Sequence, residues 1–276
     1  MRAALVQTTS SDDPGASLAH VLALLEEARG ADLILTPEVT NCVSASRERQ
    51  MAVLRREADD PTLAALREAA RDLSAWLLIG SLALRREAPG EGAPFVNRSL
   101  LIAPDGAIAA RYDKIHMFDV DLGGAEAYRE SAGYVPGGRA VLAETPVGAI
   151  GMTICYDLRF PSLYRALAQA GAQVLTVPSA FSPVTGAAHW EVLLRARAIE
   201  TGCFVLAPAQ AGTHPAVEGR ARRTHGHSLA VAPWGEVIAD GGTGPGVTLV
   251  DLDLADVDKA RARVPSLSHD RPWTGP

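Results

Sequence analysis

The sequence predicts an α/β protein built as a four-layer α-β-β-α sandwich with two mixed β-sheets. Three observations carry that expectation. Short apolar runs of the kind buried on both faces alternate with stretches whose apolar residues recur at helical spacing. The runs outnumber what one flat sheet comfortably holds, so two packed sheets with helices outside are needed. Some neighbouring runs are joined only by turn residues, which implies antiparallel edges on otherwise parallel sheets.

In chain order, residues 2–8 read as a strand and 15–29 as an amphipathic helix with Leu18, Val21, Leu22, Leu25 and Ala28 on one face. Residues 32–35 form a second buried strand that stops at Thr36-Pro37-Glu38, and 61–74 are helical. Two strands follow, 76–84 and 96–103, joined by the Pro/Gly-rich loop 88–94; the turn Pro104-Asp105-Gly106 then leads into a strand at 107–112. The apolar run that begins at Val147 turns abruptly polar at Cys155, and Pro161 opens a helix at 162–170. A strand at 173–177, a helix at 187–201 and a strand at 204–209 complete that pattern. Residues 212–223 are polar and Arg-rich, as a surface loop would be. Strands are expected at 227–232, 237–239 and 247–253, a helical stretch at 254–263, and an extended tail at 264–276 that frays unless it packs on a partner subunit. No linker or charge run divides the 276 residues, so a single domain over 1–276 is expected.

Composition narrows the function. A net charge of −6 gives no electrostatic footprint for nucleic acid or an anionic membrane. No apolar run reaches the roughly 18 residues needed to span a bilayer, and the N-terminal residues read as a strand rather than a signal peptide. The 3 cysteines, Cys42, Cys155 and Cys203, contain no C-x-x-C pair, which argues against a disulfide framework and against a zinc site. The expectations are a reducing cytoplasm, no metal and no other cofactor. Of 26 basic residues only Lys114 and Lys259 are lysine. In an arginine-rich chain, a retained lysine points to a need for a compact ammonium whose pKa can move. Lys259 has a plain explanation, a helix-surface pair with Asp256; Lys114 has none.

Three residues stand at the carboxyl ends of strand patterns, where open α/β sheets place their ligands: Glu38, Lys114 and Cys155. Nucleophilic catalysis needs a thiol, a base for its proton and a positive group for the oxyanion, and these three residue types supply them. Taken singly, Cys155 also reads as a core cysteine and Glu38 as a turn or capping residue. The rivals are weaker. His116 reads as a hydrogen-bonding partner in the loop of Lys114. His189, His225 and His227 have no second ligand at zinc spacing, and no G-x-S-x-G elbow supports serine chemistry.

With those residues in hand, the chain resembles the nitrilase (carbon–nitrogen hydrolase) superfamily over nearly its whole length. The resemblance rests on Leu35-Thr36-Pro37-Glu38, Tyr112-Asp113-Lys114-Ile115-His116 and Ile154-Cys155-Tyr156-Asp157-Leu158-Arg159-Phe160-Pro161. It implies a Glu-Lys-Cys triad on the α-β-β-α fold, with Glu130 as a second glutamate and Glu126 as the alternative. Three further stretches resemble the Nit branch, the omega-amidases and deaminated glutathione amidases: His116 to Val120, Pro178 to Phe181 with Thr185 to Glu191, and Gly226-His227-Ser228 with Pro233-Trp234-Gly235. The resemblance implies an amidase acting on a small α-keto acid amide through a thioester on Cys155. Substrate contacts would come from Tyr156, Arg159, Phe181, His189 and Glu191. Arg159 is expected to grip the keto-acid carboxylate, unless it pairs with Asp157 or Glu191, and the loop arginines within 220–223 to meet a second one. Deaminated glutathione is the expected substrate. The alternatives are 2-oxoglutaramate, a nitrile or N-carbamoyl amide, and a catalytically silent scaffold. A homodimer or higher homo-oligomer is expected.

Overall fold

Strand β1 (Arg2–Gln7) places Ala3 and Leu5 in one hydrophobic core and Ala4 and Val6 in another. Successive side chains of a strand point to opposite faces, so a strand buried on both sides is apolar without alternation. The same division separates Leu33 and Leu35 from Ile34, and Leu78 from Leu77 and Ile79. The apolar runs are therefore the middle layers of a sandwich. The structure, a computed structural model, describes residues 1–87, 92–121, 123 and 127–275. Most of the loop expected at 88–94 lies outside the described residues.

After β1 come α1 (Pro14–Leu25), β2 (Leu33–Leu35), α2 (Arg47–Val53), α3 (Pro61–Leu73), β3 (Trp76–Arg85), β4 (Phe95–Ile102) and β5 (Ile108–Asp113). A small hairpin, β6 (Asp119–Asp121) with β7 (Ala127–Arg129), precedes β8 (Val141–Thr145), β9 (Gly148–Met152), α4 (Pro161–Gln169) and β10 (Val174–Thr176). Then come α5 (Pro183–Thr201), β11 (Phe204–Ala207), the hairpin β12 (Ala211–Thr213) with β13 (Arg223–His225), β14 (Leu229–Val231) and β15 (Val237–Asp240). β16 (Gly246–Asp251) and α6 (Ala255–Arg263) close the chain.

The strands form two six-stranded sheets, ordered β16-β1-β2-β3-β4-β5 and β15-β14-β11-β10-β9-β8. Each has three parallel strands at its heart, β1-β2-β3 and β9-β10-β11, and antiparallel strands outside them. Leu5, Leu35 and Leu78 of the first sheet share a core with Ile150, Met152 and Leu206 of the second. Val21 and Leu25 of α1 and Leu63 and Leu66 of α3 cover the first sheet's other face, while α4 and α5 pack on the second. One contact fixes how closely the strand ends approach. A Cβ on Gly80 of β3 would lie 1.9 Å from the Thr36 carbonyl oxygen and 2.5 Å from Pro178 Cβ, so only glycine lets those segments converge.

The structure corrects several expected boundaries. Helix α5 begins at Pro183 rather than 187, because Ser182 caps it, accepting from the Thr185 N–H, and Pro183 occupies the first turn. The stretch expected as a plain loop at 212–223 begins and ends in the β12–β13 hairpin. The tail runs back along α4 of its own chain: Asp270 accepts from Arg165 Nη2 (2.5 Å) and Gln169 Nε2 (2.7 Å). Among the described residues, no helix is long and apolar enough to cross a membrane.

Candidate active site

Each candidate residue sits where its strand stops. Glu38 follows β2, in a turn held by Thr40 Oγ1 donating to the Pro37 carbonyl (2.8 Å) and the Val39 N–H donating to Ser81 Oγ (2.8 Å). Lys114 follows β5, with its N–H on the Asn97 carbonyl (2.9 Å). Cys155 follows β9, donates its N–H to the Pro178 carbonyl (3.0 Å) and starts a 3₁₀ turn, Cys155–Arg159. Val39 and Cys155 both have φ near 48°.

These turns bring the side chains together. Lys114 Nζ donates to Glu38 Oε1 (2.8 Å) and to both oxygens of Glu130 (3.0 and 2.8 Å). Asn97 Nδ2 bridges the same two carboxylates, at 2.9 Å from Glu38 and 3.2 Å from Glu130. The Ala180 N–H donates to Glu38 Oε2 (3.0 Å), and the Phe118 N–H to Glu130 Oε2 (2.7 Å). Glu38 and Lys114 are 4% and 2% exposed, so this pair is screened little by water. The Cys155 thiol lies against the Glu38 carboxylate and the Ala180 N–H.

The electrostatics follow. Burial would push Glu38 up, but Lys114 beside it overcomes burial and holds it below the ordinary carboxylate value. Burial would lower Lys114; the Glu130 and Glu38 carboxylates outweigh it, and its pKa rises well above the ordinary value. Burial, then the Glu38 carboxylate, push the Cys155 thiol upward against the pull of Lys114. Two carboxylates already face one ammonium, so a thiolate would add a second uncompensated buried charge. The thiol keeps its proton at rest, and an ionised carboxylate stands ready to take it.

Asp157 ties the lysine and cysteine turns together. This fully buried carboxylate accepts from Tyr112 Oη (2.6 Å), the Ile154 N–H (2.9 Å) and the His116 N–H (3.1 Å), and hydrogen-bonds His116 Nδ1 (2.7 Å). The His116 ring stacks on Phe160 with centroids 3.5 Å apart. His116 thus orients its loop, as the sequence suggested.

Glu38, Lys114, Glu130 and Cys155 all line one cavity of about 540 Å³, together with Tyr156 and Phe181. Glu126, the alternative to Glu130, lies outside the described residues. Arg159, His189 and Glu191 are not brought into the cavity. Arg159 lies over the Tyr156 and Phe181 rings, 5.9 and 5.7 Å from their centroids, and hydrogen-bonds His189 Nδ1 at 3.2 Å. Neither Asp157 nor Glu191 pairs with it among the described residues; Glu191 is exposed and meets Arg195 at 3.3 Å. His189 and Glu191 flank Trp190, the residue of the three that α5 turns inward. Asn97 was not anticipated. Its one signal is an amide in a strand interior, where asparagine is unfavoured. Among the described residues, no group of three or more His, Cys, Asp or Glu side chains is placed to hold a metal ion.

The carbon–nitrogen hydrolase family model matches residues 2–262. The chain is 41% identical over 272 residues to the deaminated glutathione amidase of Yersinia enterocolitica, covering 97% of this chain and 92% of that protein. Among solved structures, the C. elegans NitFhit protein superposes with a TM-score of 0.86 at 35% identity, over 98% of this chain and 65% of that one. Saccharomyces cerevisiae Nit3, a member of branch 10 of the nitrilase superfamily, superposes with a TM-score of 0.83 at 27% identity, over 96% of this chain and 94% of that one.

Proposed function

The chain belongs to the carbon–nitrogen hydrolase family, and from that premise we propose that it is an amidase of α-keto acid amides, with deaminated glutathione as its substrate. The observation that carries the chemistry is Lys114 enclosed by Glu38 and Glu130 beside the Cys155 thiol, in one cavity. Glu38 takes the thiol proton as sulfur attacks the amide carbonyl. The Lys114 ammonium and the Tyr156 N–H hold the oxyanion; the first-turn N–H groups of a helix have no partner within it. As the C–N bond breaks, Glu38 returns the proton to the leaving amine. Glu38 then activates water against the thioester, and the keto dicarboxylate leaves. Glu130 and Asn97 keep Lys114 and Glu38 in register.

The choice of substrate draws on the activity named for the Yersinia relative and on a cavity lined by Arg47, Arg129, Arg220, Arg222 and Arg223, which suits a ligand carrying more than one carboxylate. A release assay across deaminated glutathione, 2-oxoglutaramate, a simple nitrile and an N-carbamoyl amino acid tests it. The highest kcat/KM is expected for deaminated glutathione. A clear preference for 2-oxoglutaramate would overturn the choice of substrate, and no turnover of any of the four would favour a silent scaffold.

Cytoplasmic residence is part of the same reading, since a catalytic thiol and two further unpaired cysteines suit a reducing compartment. So is self-association. Val184, Val192 and Ile199 of α5 are 58%, 68% and 56% exposed, and their spacing of eight and seven residues puts them on one face of the helix. A second copy of the chain covers that stripe. Light scattering that returned only monomer mass at micromolar concentration would exclude this.

A further inference from the structure

We propose that Arg222 selects the amine half of the substrate, its guanidinium taking the terminal carboxylate of a peptide-like leaving group. The assignment rests on the reading of the protein as an α-keto acid amidase. It goes further by saying which residue recognises which end.

Arg222 enters the cavity at the start of the β12–β13 return, beside the base. Its Nη2 donates to the Ala180 carbonyl (2.7 Å), and the N–H of the same Ala180 donates to Glu38 Oε2 (3.0 Å). The positive charge reaches Glu38, where it helps hold the carboxylate ionised. Arg222 therefore lies on the Glu38 side of the reacting centre. That side is set by chemistry. Glu38 receives the thiol proton and must deliver it to the amine nitrogen as the C–N bond breaks, so the leaving group departs past Glu38. A dipeptide amine extends about 7 Å from its nitrogen to its carboxylate. Two hydrogen bonds with one residue of backbone between them cover a comparable length.

Arg222 has a donor left over. Its Nε is buried and has no partner among the described residues, an arrangement that costs free energy unless an acceptor arrives. A carboxylate is the acceptor whose geometry matches that planar fork. Two other arginines near the site are less well placed. Arg129 Nη1 is held by the Val120 and Tyr128 carbonyls, and Arg159 stands outside the cavity.

The backbone that carries Arg222 is fixed before any ligand binds. The His214 N–H donates to the Arg222 carbonyl (2.9 Å). The His214 ring is buried between Ser10 and Thr224, with Nδ1 on the Ser10 carbonyl and Nε2 on Thr224 Oγ1, both at 2.7 Å. Asp12, also buried, accepts from the Val217 and Glu218 N–H groups at 2.8 and 3.1 Å. A recognition group on so braced a loop binds without first ordering it.

The test uses three amides with one acyl half: deaminated glutathione, the same molecule with its terminal carboxylate converted to a carboxamide, and 2-oxoglutaramate. The full chain and its Arg222→Ala and Arg222→Lys variants are compared by 2-oxoglutarate release, with melting curves as the check on folding. Wild type should prefer the free acid over the carboxamide by tenfold to a hundredfold in kcat/KM, the usual range for one charge-assisted contact. Arg222→Ala should bring that ratio close to one, and Arg222→Lys should keep part of it, because a point charge replaces a fork. An equal loss on all three amides would show that Arg222 serves the acyl half or the fold, and an unchanged ratio would show that it meets no carboxylate; either overturns the assignment. If wild type itself releases 2-oxoglutarate from none of them, the substrate reading fails first and this one with it.

Discussion

Cys155→Ala is expected to lower kcat for amide hydrolysis on the order of 10⁴-fold or more, the scale on which loss of a covalent nucleophile is felt. The side chain is buried against the Glu38 carboxylate and the Ala180 N–H, and no other thiol shares that environment. Cys42 donates toward the Asp12 carbonyl and is pushed up to about 12, first by burial, so it stays a thiol. Cys203 lies elsewhere in the core, 3.2 Å from the Ala172 carbonyl, and Cys203→Ala should turn over like wild type. Loss of one sulfur leaves a small cavity, so the melting temperature of Cys155→Ala should fall by no more than a few degrees. Turnover within tenfold of wild type in folded Cys155→Ala would place the nucleophile elsewhere.

The second large effect is at Lys114. Lys114→Arg should reduce kcat nearly as far as Lys114→Ala, each by roughly 10²–10³-fold or more, the scale of losing an oxyanion donor. The ammonium is fully enclosed, with three carboxylate oxygens at 2.8–3.0 Å, and a larger planar guanidinium does not fit that space. Lys259 is exposed between Asp253 and Asp256, and Lys259→Arg should be silent. Stability against pH gives an independent reading. Glu38 is depressed, so its contribution is present above the ordinary value of 4.5 and is lost as pH falls through its lower folded value. Lys114 is raised, so its contribution is full below the ordinary 10.5 and is lost as pH rises through its higher folded value. Wild type should therefore show a plateau between those limits. In Lys114→Ala, burial acts on Glu38 without the ammonium, and a carboxyl raised in the folded state reverses the slope: stability should increase as pH is lowered toward 5. Near-normal turnover by Lys114→Arg would show that charge alone was wanted, and a slope like that of wild type in Lys114→Ala would show that the ammonium does not set the Glu38 ionisation.

Much of this was legible because the signals were chemical or periodic. Runs such as Leu33-Ile34-Leu35 are apolar throughout since their two faces belong to different cores, which announced buried strands directly. Lys114 stood out against a background of arginine. What stayed hidden was short or depended on turn geometry. The three-residue strands of the β6–β7 and β12–β13 hairpins are held by a few hydrogen bonds and carry no period to detect. Helix α2, Arg-Glu-Arg-Gln-Met-Ala-Val, buries only Gln50. Sequence distance from Cys155 does not reveal that Arg159 lies over the Tyr156 and Phe181 rings and hydrogen-bonds His189. Asn97 was missed because its partners arrive from Glu38, 59 positions away, and Glu130, 33 positions away.

The left-handed backbone at Val39 and Cys155 has a consequence for engineering. Holding an L-residue there costs roughly 1–2 kcal/mol, a noticeable share of a net stability of about 5–15 kcal/mol. Both positions adjoin or carry the reacting groups, so the strain is the condition under which Glu38 and Cys155 are aimed at one another. Glycine at either position would relieve it. It would also empty a packed site, since Val39 and Cys155 are core side chains only 8% and 7% exposed, and the cavity left behind costs at least as much as the strain relieved; a thermostabilised form should draw its gains from the sheets and helices and leave these two turns as they are.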